Sequence, residues 1–471
     1  MTRIAVMGGG VAGSATALFA ARAGHDVTLL EQDTAPDGED LDEAFFGRAR
    51  PRVPQALQPH ALLGPARAVL RSHAPDVYAR LLRLGAWEQH EFDWFDAHPP
   101  YEPGDEHLVL VRLRRVVLET ALRAAVDAQR GLTVRRGEAV RGLYVDRAAD
   151  RPPRVTGVRT TGGRVDTDLV VDAAGRRSPL AGWLTAAGAR PPETETHRVG
   201  LAYACRWYRT PARVTALLPH VPYTSATPHA LSIAFPSDND LLGAALVCAV
   251  GDPTLPALRE PAVFDALARL FPSTGAWLAT TPRPVGGVHV MAGLDNRWSP
   301  PSDGAGPVAT GVVRVGDALV HTNPTLTQGI SLALWAAEHV AELAGRTSDP
   351  VELAVRHDRW TRDRLKPWFD LQVAADRDNE ARLSGAPAAE PADDEARRRA
   401  ARFPAALDDP VVMRAWAQVR HMCRTPAQAF GDARVRHRVD AWLAGRSGPP
   451  SAPTGPSRRT WEEVVASSAA R

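Results

Sequence analysis

The sequence predicts an α/β fold in which a Rossmann-like nucleotide-binding domain is interleaved with a mostly antiparallel β-sheet domain and followed by a helical C-terminal region. The chain opens with a strand, a glycine turn and a helix, short β-branched runs fill its middle, and helical periodicity dominates after residue 350. We expect the nucleotide-binding domain at 1–178 and 311–345, the sheet domain at 179–310, the helical region at 346–445 and a disordered tail at 446–471.

The first thirty residues carry the most specific motif of the chain. Gly8, Gly10 and Gly13 form G-x-G-x-x-G where a buried strand turns into a helix. Gly8 permits the tight turn, Gly10 lets the backbone approach a pyrophosphate, and Gly13 lets the helix pack closely on the strand. Val11 and Ala12 lie in the first helical turn, where free N–H groups face the anion. This pattern predicts a dinucleotide site.

An acidic residue after the second strand narrows the choice of dinucleotide. The strand at 27–30 ends in Glu31, whose carboxylate is placed to accept hydrogen bonds from the ribose hydroxyls of an adenosine. A carboxylate there repels a 2′-phosphate. We therefore expect FAD or NAD rather than NADP.

Composition excludes several classes of protein. A net charge of +2 over 471 residues, with the basic residues scattered, predicts no nucleic-acid partner. Three cysteines without ligand spacing predict neither a disulfide nor a metal site. The first strand begins by residue 3 or 4 and no apolar run reaches spanning length, so we expect a cytoplasmic protein without a membrane span.

The remaining elements follow from periodicity and turn residues. Helical spacing predicts helices at 61–84 and 114–129, and Gly162-Gly163 predicts a hairpin between strands 155–160 and 165–172. Long strands separated by proline-rich turns are predicted at 200–209, 231–235, 241–250 and 286–291. The chain then returns to the first domain with a strand at 312–315 and a helix at 329–343, and a solvated connector is expected at 385–399.

Three separated segments carry a resemblance to a known family. The glycine motif, DLVVDAAGRRSPL at 168–180 and VGDALVHTNPTLTQGISLALWAA at 315–337 occur in the order found in the FAD-dependent monooxygenase superfamily built on the para-hydroxybenzoate hydroxylase fold. RVPQALQPHALL at 52–63 and RRVVLE at 114–119 resemble segments of its squalene-epoxidase-like bacterial branch of flavin epoxidases and hydroxylases. The resemblance implies a Rossmann-like FAD-binding domain interleaved with a substrate domain.

The resemblance also assigns roles to residues of the third segment. Asp317 would bind ribityl or pyrophosphate-side groups, and Pro324 would shape the loop beside the flavin ring. Backbone N–H groups at the start of the following helix would face the flavin, where a helix N-terminus stabilises negative charge. Those groups belong to Gln328, Gly329 and Ile330. Arg115 would reach the cofactor from its helix, although Arg112 and Arg114 compete for that role.

The activity implied by the resemblance is oxygen insertion. One oxygen atom of O2 would enter an apolar or aromatic small molecule of secondary metabolism, by epoxidation or hydroxylation, through a flavin C4a-hydroperoxide. The family's motif aspartate is replaced by Ala174, which puts direct recognition of a nicotinamide cofactor in doubt. Electrons would come from NADH or NADPH, directly or through a separate flavin reductase. Thr327 stands where the family often has glycine.

Catalytic residues are not assigned by any motif, because the cofactor carries most of this chemistry. The strands of the sheet domain should line the substrate pocket, which makes Tyr203, Arg206 and His289 candidate substrate-binding residues, with Trp207 and His229 as weaker ones. His60 and His321 lie in segments expected next to the flavin.

Other functions share parts of this pattern. An FAD-dependent dehydrogenase or oxidase would use the same cofactor site, and a non-catalytic flavin-binding regulatory protein would also retain it. Flavin halogenases share the fold but need a catalytic lysine and a W-x-W-x-I-P segment; the chain lacks the segment, and its one lysine, Lys366, lies beyond the third signature. A dehydrogenase that uses NAD alone would have no use for the segment at 315–337.

Overall fold

The computed structural model describes residues 1–34, 40–48, 50, 53–95, 98–148, 151–211, 224–384, 393–446 and 454–469. The strands are β1 (Arg3–Met7), β2 (Asp26–Glu31), β3 (Ala61–Leu62), β4 (Trp87–His90), β5 (Val109–Arg112), β6 (Leu132–Arg136), β7 (Val140–Ala148), β8 (Arg151–Thr160), β9 (Gly163–Asp166), β10 (Leu169–Asp172), β11 (Glu195–His197), β12 (Leu201–Arg209), β13 (Thr224–Ala226), β14 (Leu231–Pro236), β15 (Leu241–Ala249), β16 (Arg283–Ala292), β17 (Asn296–Trp298), β18 (Ser302–Asp303), β19 (Gly306–Pro307), β20 (Val312–Arg314) and β21 (Val320–His321).

Fifteen α-helices lie in the described part of the chain. They are α1 (Val11–Arg22), α2 (Gly64–His73), α3 (Pro75–Arg83), α4 (Arg115–Ala128), α5 (Leu180–Ala186), α6 (Pro261–Ala268), α7 (Pro272–Leu278), α8 (Gly329–Arg346), α9 (Pro350–Arg364), α10 (Lys366–Leu383), α11 (Asp394–Asp408), α12 (Pro410–Arg420), α13 (Pro426–Phe430), α14 (Ala433–Ala444) and α15 (Arg458–Ala469). Within these residues, every helix is too short or too polar to cross a lipid bilayer.

A five-stranded parallel sheet forms the base of the nucleotide-binding domain. Its order is β20-β10-β1-β2-β6, so a strand from residue 312 onward lies beside strands from the first 172 residues. The inner strands are apolar because a parallel sheet is covered on both faces. Helices α1, α4 and α8 contribute buried side chains to the main core together with this sheet. This arrangement confirms the predicted Rossmann-like domain and its late return strand.

A five-stranded antiparallel sheet in the order β13-β14-β15-β12-β16 confirms the predicted second sheet. Alternate residues of a strand point to opposite faces. Odd-numbered residues of β12, such as Tyr203 and Trp207, face the first domain, whereas Ala204 and Tyr208 pack into a separate core with α6 and α7. The sheet therefore separates the candidate site from a second hydrophobic core.

Two predicted elements are each divided in the structure. The helix expected at 61–84 consists of strand β3 and helices α2 and α3, because Pro75 begins a new helix directly after Ala74. The strand expected at 165–172 is split between β9 and β10, which belong to different sheets. The hairpin at Gly162-Gly163 is confirmed, since Thr160 pairs with Gly163.

The expectation of a disordered tail is wrong for residues 458–469, which form helix α15. Trp461 is fully buried in the second core, where its indole N–H donates to Thr254 Oγ1 over 2.8 Å. Arg458 also pairs with Asp252, which fixes the start of the helix. In the connector expected at 385–399, residues 385–392 lie outside the described residues, and helix α11 begins at Asp394.

Candidate functional site

The glycine turn has the geometry that an approaching pyrophosphate needs. Gly8 has a φ of +101°, and a Cβ there would lie 2.6 Å from the Ala173 carbonyl oxygen. A Cβ on Gly13 would lie 1.8 Å from the Gly8 carbonyl oxygen, so the helix can pack this closely only with glycine. A Cβ on Gly10 would meet no described atom within 4 Å. The turn is therefore packed behind Gly8 and Gly13 and open in front of Gly10.

The N-terminus of α1 is free to hold an anion. Gly10 is its capping residue and supplies no side-chain hydrogen bond to the first turn. The N–H groups of Val11 and Ala12 are therefore unpaired by any side-chain cap, and helix-terminal N–H groups attract negative charge. Glu31 lies beside this turn, at the end of β2, and its Oε2 accepts a hydrogen bond from the Gly9 N–H over 2.5 Å.

The loop after β10 contains the segment in which alanine replaces the family's aspartate. Ala174 is exposed, whereas Asp172 is fully buried and paired with Arg314. The Asp172 carboxylate also accepts hydrogen bonds from Ser178 Oγ over 2.6 Å and from the Ala174 N–H over 3.1 Å. Burial raises the pKa of this carboxyl group, and the Arg314 guanidinium opposes that rise. Asp172 is thus committed to the protein interior and does not replace the missing aspartate.

The segment at 315–337 meets the glycine turn in space. A Cβ on Gly316, whose φ is +56°, would lie 2.5 Å from Ala12 Cβ. The short 3-10 turn Gly316–Ala318 therefore sits directly against the first turn of α1. This contact places the turn that contains Asp317 beside the start of α1.

The N-terminus of α8 forms the other end of the site. Gln328 caps the helix without a side-chain hydrogen bond, and it is buried, as is Ser331. Gln328 Oε1 and Ser331 Oγ have no hydrogen-bond partner among the described residues. Buried polar atoms are normally paired. Neither Gln328 nor Ser331 is among the cavity-lining residues. Thr327, before the helix, has the left-handed φ of +62° that glycine tolerates better.

A cavity, roughly 920 Å³ when the open solvent at its mouth is included, joins Asp317 and the start of α8 to the antiparallel sheet. Its polar side contains Arg115, Asp317, Thr327 and the helix start at Gly329 and Ile330. Its opposite side is apolar. The residues of that side are Ile233, Phe235, Ala245, Met291 and Leu294. The cavity therefore has both polar and apolar lining, as small-molecule sites do.

Of the three neighbouring arginines, Arg115 is the one that lines the cavity. Its Nε donates to Glu119 Oε1 over 2.7 Å, and Glu119 also pairs with Arg50. The two arginines hold the pKa of the buried Glu119 carboxyl at about 2, against the opposing effect of burial. Arg114 is fully buried with Asp238. Arg115 therefore faces the cavity, whereas Arg114 forms a buried ion pair within the protein.

His60 and His321 both line the cavity and are fixed in the same way. Nδ1 of His60 lies 2.8 Å from the Gln58 carbonyl oxygen, and Nδ1 of His321 lies 2.8 Å from the Asp295 carbonyl oxygen. Each Nδ1 must therefore carry a hydrogen. Burial lowers the pKa of His60 to about 4, and the charge of Arg115 adds to this effect. His60 is neutral at physiological pH.

The candidate substrate residues divide between the two faces of the sheet. Tyr203 lines the cavity, and its hydroxyl donates to Asn323 Oδ1 over 2.8 Å. His289 pairs in register with Cys205 on the same face, next to the cavity residue Met291. Arg206 points to the opposite face, where it pairs with Asp265 and donates to the Pro261 carbonyl. The expectation that Arg206 contacts substrate does not fit this placement, because its side chain faces away from the cavity.

The two weaker candidates also take structural positions. His229 packs against Trp461 in the second core, with ring centroids 5.4 Å apart. Trp207 faces the first domain and donates its indole N–H to the Leu57 carbonyl over 2.8 Å. Gln58 Nε2 donates to the His289 carbonyl over 3.2 Å. Trp207 and His289 thus hold the loop that carries His60.

Several cavity residues carried no signal in the sequence. Pro324, Gly329 and Ile330 line the cavity as expected, but Gln55, Gln58 and Thr325 line it too. The two glutamines lie in the segment at 52–63 that carries part of the resemblance, but the resemblance assigns them no role. The alternation of the strands could have identified Ile233, Ala245 and Met291, which share a sheet face with Tyr203.

Comparison with known proteins agrees with this fold. The model of the FAD dependent oxidoreductase family matches residues 3–40, which contain the glycine turn and Glu31. Protein Rv3254 of Mycobacterium tuberculosis is 28% identical over 225 residues. That match covers 45% of this chain and 44% of the relative, so the chain matches less than half of the relative's length.

Two solved structures share the fold at low sequence identity. PqsL, a probable FAD-dependent monooxygenase from Pseudomonas aeruginosa, has a TM-score of 0.59 at 16% identity, covering 82% of this chain and 98% of PqsL. The flavin-dependent brominase Bmp2 has a TM-score of 0.60 at 15% identity, covering 94% of this chain and all of Bmp2. The chain therefore has the fold of these flavin-dependent enzymes.

Proposed function

We propose that this chain is an FAD-dependent monooxygenase that inserts one oxygen atom from O2 into an apolar or aromatic small molecule, by epoxidation or hydroxylation. The proposal depends on one observation above all: a single cavity connects the start of helix α8 and Asp317 with the apolar face of the antiparallel sheet. The similarity of the fold to a monooxygenase supports it.

The described residues fit FAD. The open space before Gly10 and the uncapped N-terminus of α1 suit the pyrophosphate. Glu31, beside the turn, would accept hydrogen bonds from the adenosine ribose. Asp317 and the start of α8 at Gly329 and Ile330 lie at the other end. When bound, FAD supplies the redox chemistry and the activation of dioxygen.

The protein's own residues would orient the reactants and exclude water. The N–H groups of Gly329 and Ile330 begin α8, and Arg115 adds a positive charge on the same side of the cavity, so negative charge is stabilised there. Phe235 and Met291, on the opposite side, offer apolar surface to a substrate and keep water from the reacting atoms. Neutral His60 is available to accept a proton through Nε2.

Halogenation is not supported by the position of lysine. Bmp2 shares the fold, but the one lysine of this chain, Lys366, is not among the cavity-lining residues. Its ammonium pairs with Asp370 and with Glu195, whose Oε2 lies 3.1 Å away. These pairs hold the lysine at the start of α10.

The electron source in this proposal is NADH or NADPH, acting directly or through a separate flavin reductase. The commitment of Asp172 to Arg314 and the exposed Ala174 leave no carboxylate at the family's usual position. Stopped-flow reduction of the reconstituted protein by NADH, NADPH and dithionite tests this step. Reduction by dithionite alone would favour the separate reductase, whereas rapid reduction by NADH or NADPH would favour direct use.

The activity itself is tested with labelled dioxygen. The protein is first reconstituted with FAD and its visible absorbance recorded; a preparation that takes up no flavin contradicts the proposal. Reduced holoprotein is then exposed to ¹⁸O₂ with a panel of apolar and aromatic compounds, and products are analysed by mass spectrometry. One retained label per product is the expected result. Oxidised products without label would contradict oxygen insertion and point to an FAD-dependent dehydrogenase or oxidase.

A further inference from the structure

A buried polar cluster lies behind the cavity loop and connects it to the C-terminal helical region. We call it the Asp376 cluster. Its members are Tyr203, Asn296, Asn323, Thr325, Gln372 and Asp376. Asp376 is only 2% exposed, and Asn296, Asn323 and Gln372 are fully buried. Four members of the cluster, Asn296, Asn323, Gln372 and Asp376, are not among the cavity-lining residues, so the cluster extends behind the site.

The carboxylate of Asp376, on α10, accepts four hydrogen bonds from side chains of the described residues. Its Oδ1 accepts from Asn323 Nδ2 over 2.7 Å, Thr325 Oγ1 over 3.0 Å and Gln372 Nε2 over 2.9 Å. Its Oδ2 accepts from Asn296 Nδ2 over 2.7 Å. All four donors are neutral, and no ion pair joins Asp376 to a described residue. The carboxylate therefore organises neutral donors around a buried charge.

The cluster fixes both walls of the cavity at once. Asn323 directly precedes the cavity residue Pro324, and its backbone N–H donates to Asn296 Oδ1 over 2.6 Å. The Asn323 side chain also accepts the hydroxyl of Tyr203, which comes from the antiparallel sheet. One carboxylate thus sets the position of the loop before α8 and, through Asn323, the position of the Tyr203 ring.

We propose that Asp376 is the positioning residue that holds the cavity loop at 323–328 in its flavin-binding conformation. The inference rests on the proposed function, because it assumes that this loop faces bound FAD. It gives helix α10 a role in the site although Asp376 does not line the cavity. The loop has few constraints of its own, since its 3-10 turn Pro324–Leu326 ends in Thr327 with a left-handed φ.

The charge of Asp376 is needed because an amide cannot satisfy the same donors. In Asp376→Asn, the amide oxygen can face the three donors at Oδ1, but the amide nitrogen then faces the Asn296 side-chain nitrogen. If the Asn296 amide rotates to accept this new donor, its nitrogen meets the Asn323 backbone N–H, which it can no longer accept. Either arrangement sets two buried N–H donors against each other, and in the second one of them is the Asn323 N–H of the loop.

A double substitution restores the pattern and forms the test. In Asn296→Asp with Asp376→Asn, the new carboxylate at 296 accepts both the amide at 376 and the Asn323 N–H. We expect Asp376→Asn to weaken FAD binding roughly tenfold, because the Asn323 N–H of the loop loses its acceptor. We also expect a changed visible circular dichroism spectrum of the bound flavin. The double variant should recover most of both losses.

Glu91→Gln is the matched control. Glu91 is another fully buried carboxylate that connects a C-terminal helix to the first domain, through His421, but it lies outside the cavity. We expect this variant to lower thermal stability while leaving the FAD dissociation constant and the flavin spectrum unchanged. A second measurement, kcat against KM for any substrate found, should show Asp376→Asn acting on kcat through flavin placement.

Two results would overturn the inference. If Asp376→Asn loses stability like Glu91→Gln but binds FAD with unchanged affinity and spectrum, Asp376 serves folding alone. If the double variant regains stability but not flavin binding, the loop is not held through Asn296. Failure of the wild-type protein to bind FAD would instead contradict the proposed function, so the two ideas fail in distinguishable ways.

Discussion

Gly10 is the residue at which a single side chain would decide whether the cofactor binds. Any Cβ added there enters the open space before α1. We expect Gly10→Asp to abolish FAD retention, because its carboxylate would lie against the pyrophosphate at a helix N-terminus. The measurement is the flavin absorbance of the protein after gel filtration with added FAD.

The control for this substitution is Gly182→Asp. Gly182 is exposed in α5 and also has no described atom within 4 Å of an added Cβ. It reproduces the added charge and bulk far from the glycine turn. Full flavin retention by Gly10→Asp would contradict the placement of the cofactor.

The side chains of the sheet show what a residue-level prediction could have achieved. Tyr203 and Arg206 are three residues apart on one strand, so they must face opposite sides of the sheet. Tyr203 and Arg206 therefore cannot both line one pocket on a single face of this sheet. The glycine motif is more informative, because the need for glycine at each position follows from local steric contacts. Whether a strand residue lines a pocket depends instead on which face of the sheet the rest of the fold covers.

Helix α9 is held on the parallel sheet by a histidine that must stay neutral. Nε2 of His357 lies 3.0 Å from the Arg314 carbonyl oxygen at the end of β20, and burial lowers the pKa of His357 to about 4. The unfolded chain binds this proton near the ordinary value of 6.5. The free energy of unfolding is therefore unaffected above about pH 6.5 and falls as the pH drops from there toward 4.

We expect His357 alone to account for about 2 kcal/mol of the stability lost between pH 7 and pH 5. Denaturant unfolding at both pH values, with the wild type and His357→Gln, measures this contribution. Glutamine retains a donor for the Arg314 carbonyl but does not titrate. Exposed His437→Gln is the control and should keep the wild-type loss. Equal losses in the wild type and His357→Gln would contradict the assignment.

The C-terminal helix α15 is an integral part of the sheet domain. Trp461 has no exposed surface and packs against Phe271 and His229. We expect Trp461→Ala to lower the free energy of unfolding by about 3–5 kcal/mol, the usual cost of removing a large buried aromatic side chain. Half-buried Trp442→Ala should cost roughly 1 kcal/mol. Similar losses for the two variants, measured by denaturant unfolding, would contradict the structural role of α15.

The same helix shows a limit of prediction at the level of elements. The proline- and serine-rich stretch before Arg458 predicts a disordered tail, and the sequence alone gives no reason to exclude the short amphipathic segment after it from that tail. Local composition indicates whether a segment could fold alone. It does not reveal that Trp461 packs into the second core, where it contacts Thr254, a residue some two hundred positions earlier in the chain.

At the scale of the whole molecule, local patterns predicted the architecture, and long-range contacts determined the site. The parallel sheet and the return of the chain to it at β20 follow from motifs with fixed strand and helix positions, whereas the pairing of β20 with β10 comes from the structure. The Asp376 cluster could not be predicted in this way. Asn296, Asn323 and Asp376 are unremarkable polar residues in the sequence, and only the packing of α10 against the loop brings them together.

The contact between Gly316 and Ala12 makes one site from two remote segments, and it can be tested directly. In Gly316→Ala the new methyl group would press against Ala12, and the left-handed backbone would cost a further 1–2 kcal/mol, roughly. We expect FAD affinity to fall at least roughly tenfold, because displacing this turn from α1 moves Asp317 away from the glycine turn. Adding Ala12→Gly removes the clash and should restore much of the affinity, although the cost of the left-handed backbone at residue 316 remains.

Gly131→Ala, at a positive φ in open space, is the control for backbone strain alone and should retain FAD. If Gly316→Ala binds FAD like Gly131→Ala in a fluorescence titration, the two segments do not hold the same cofactor.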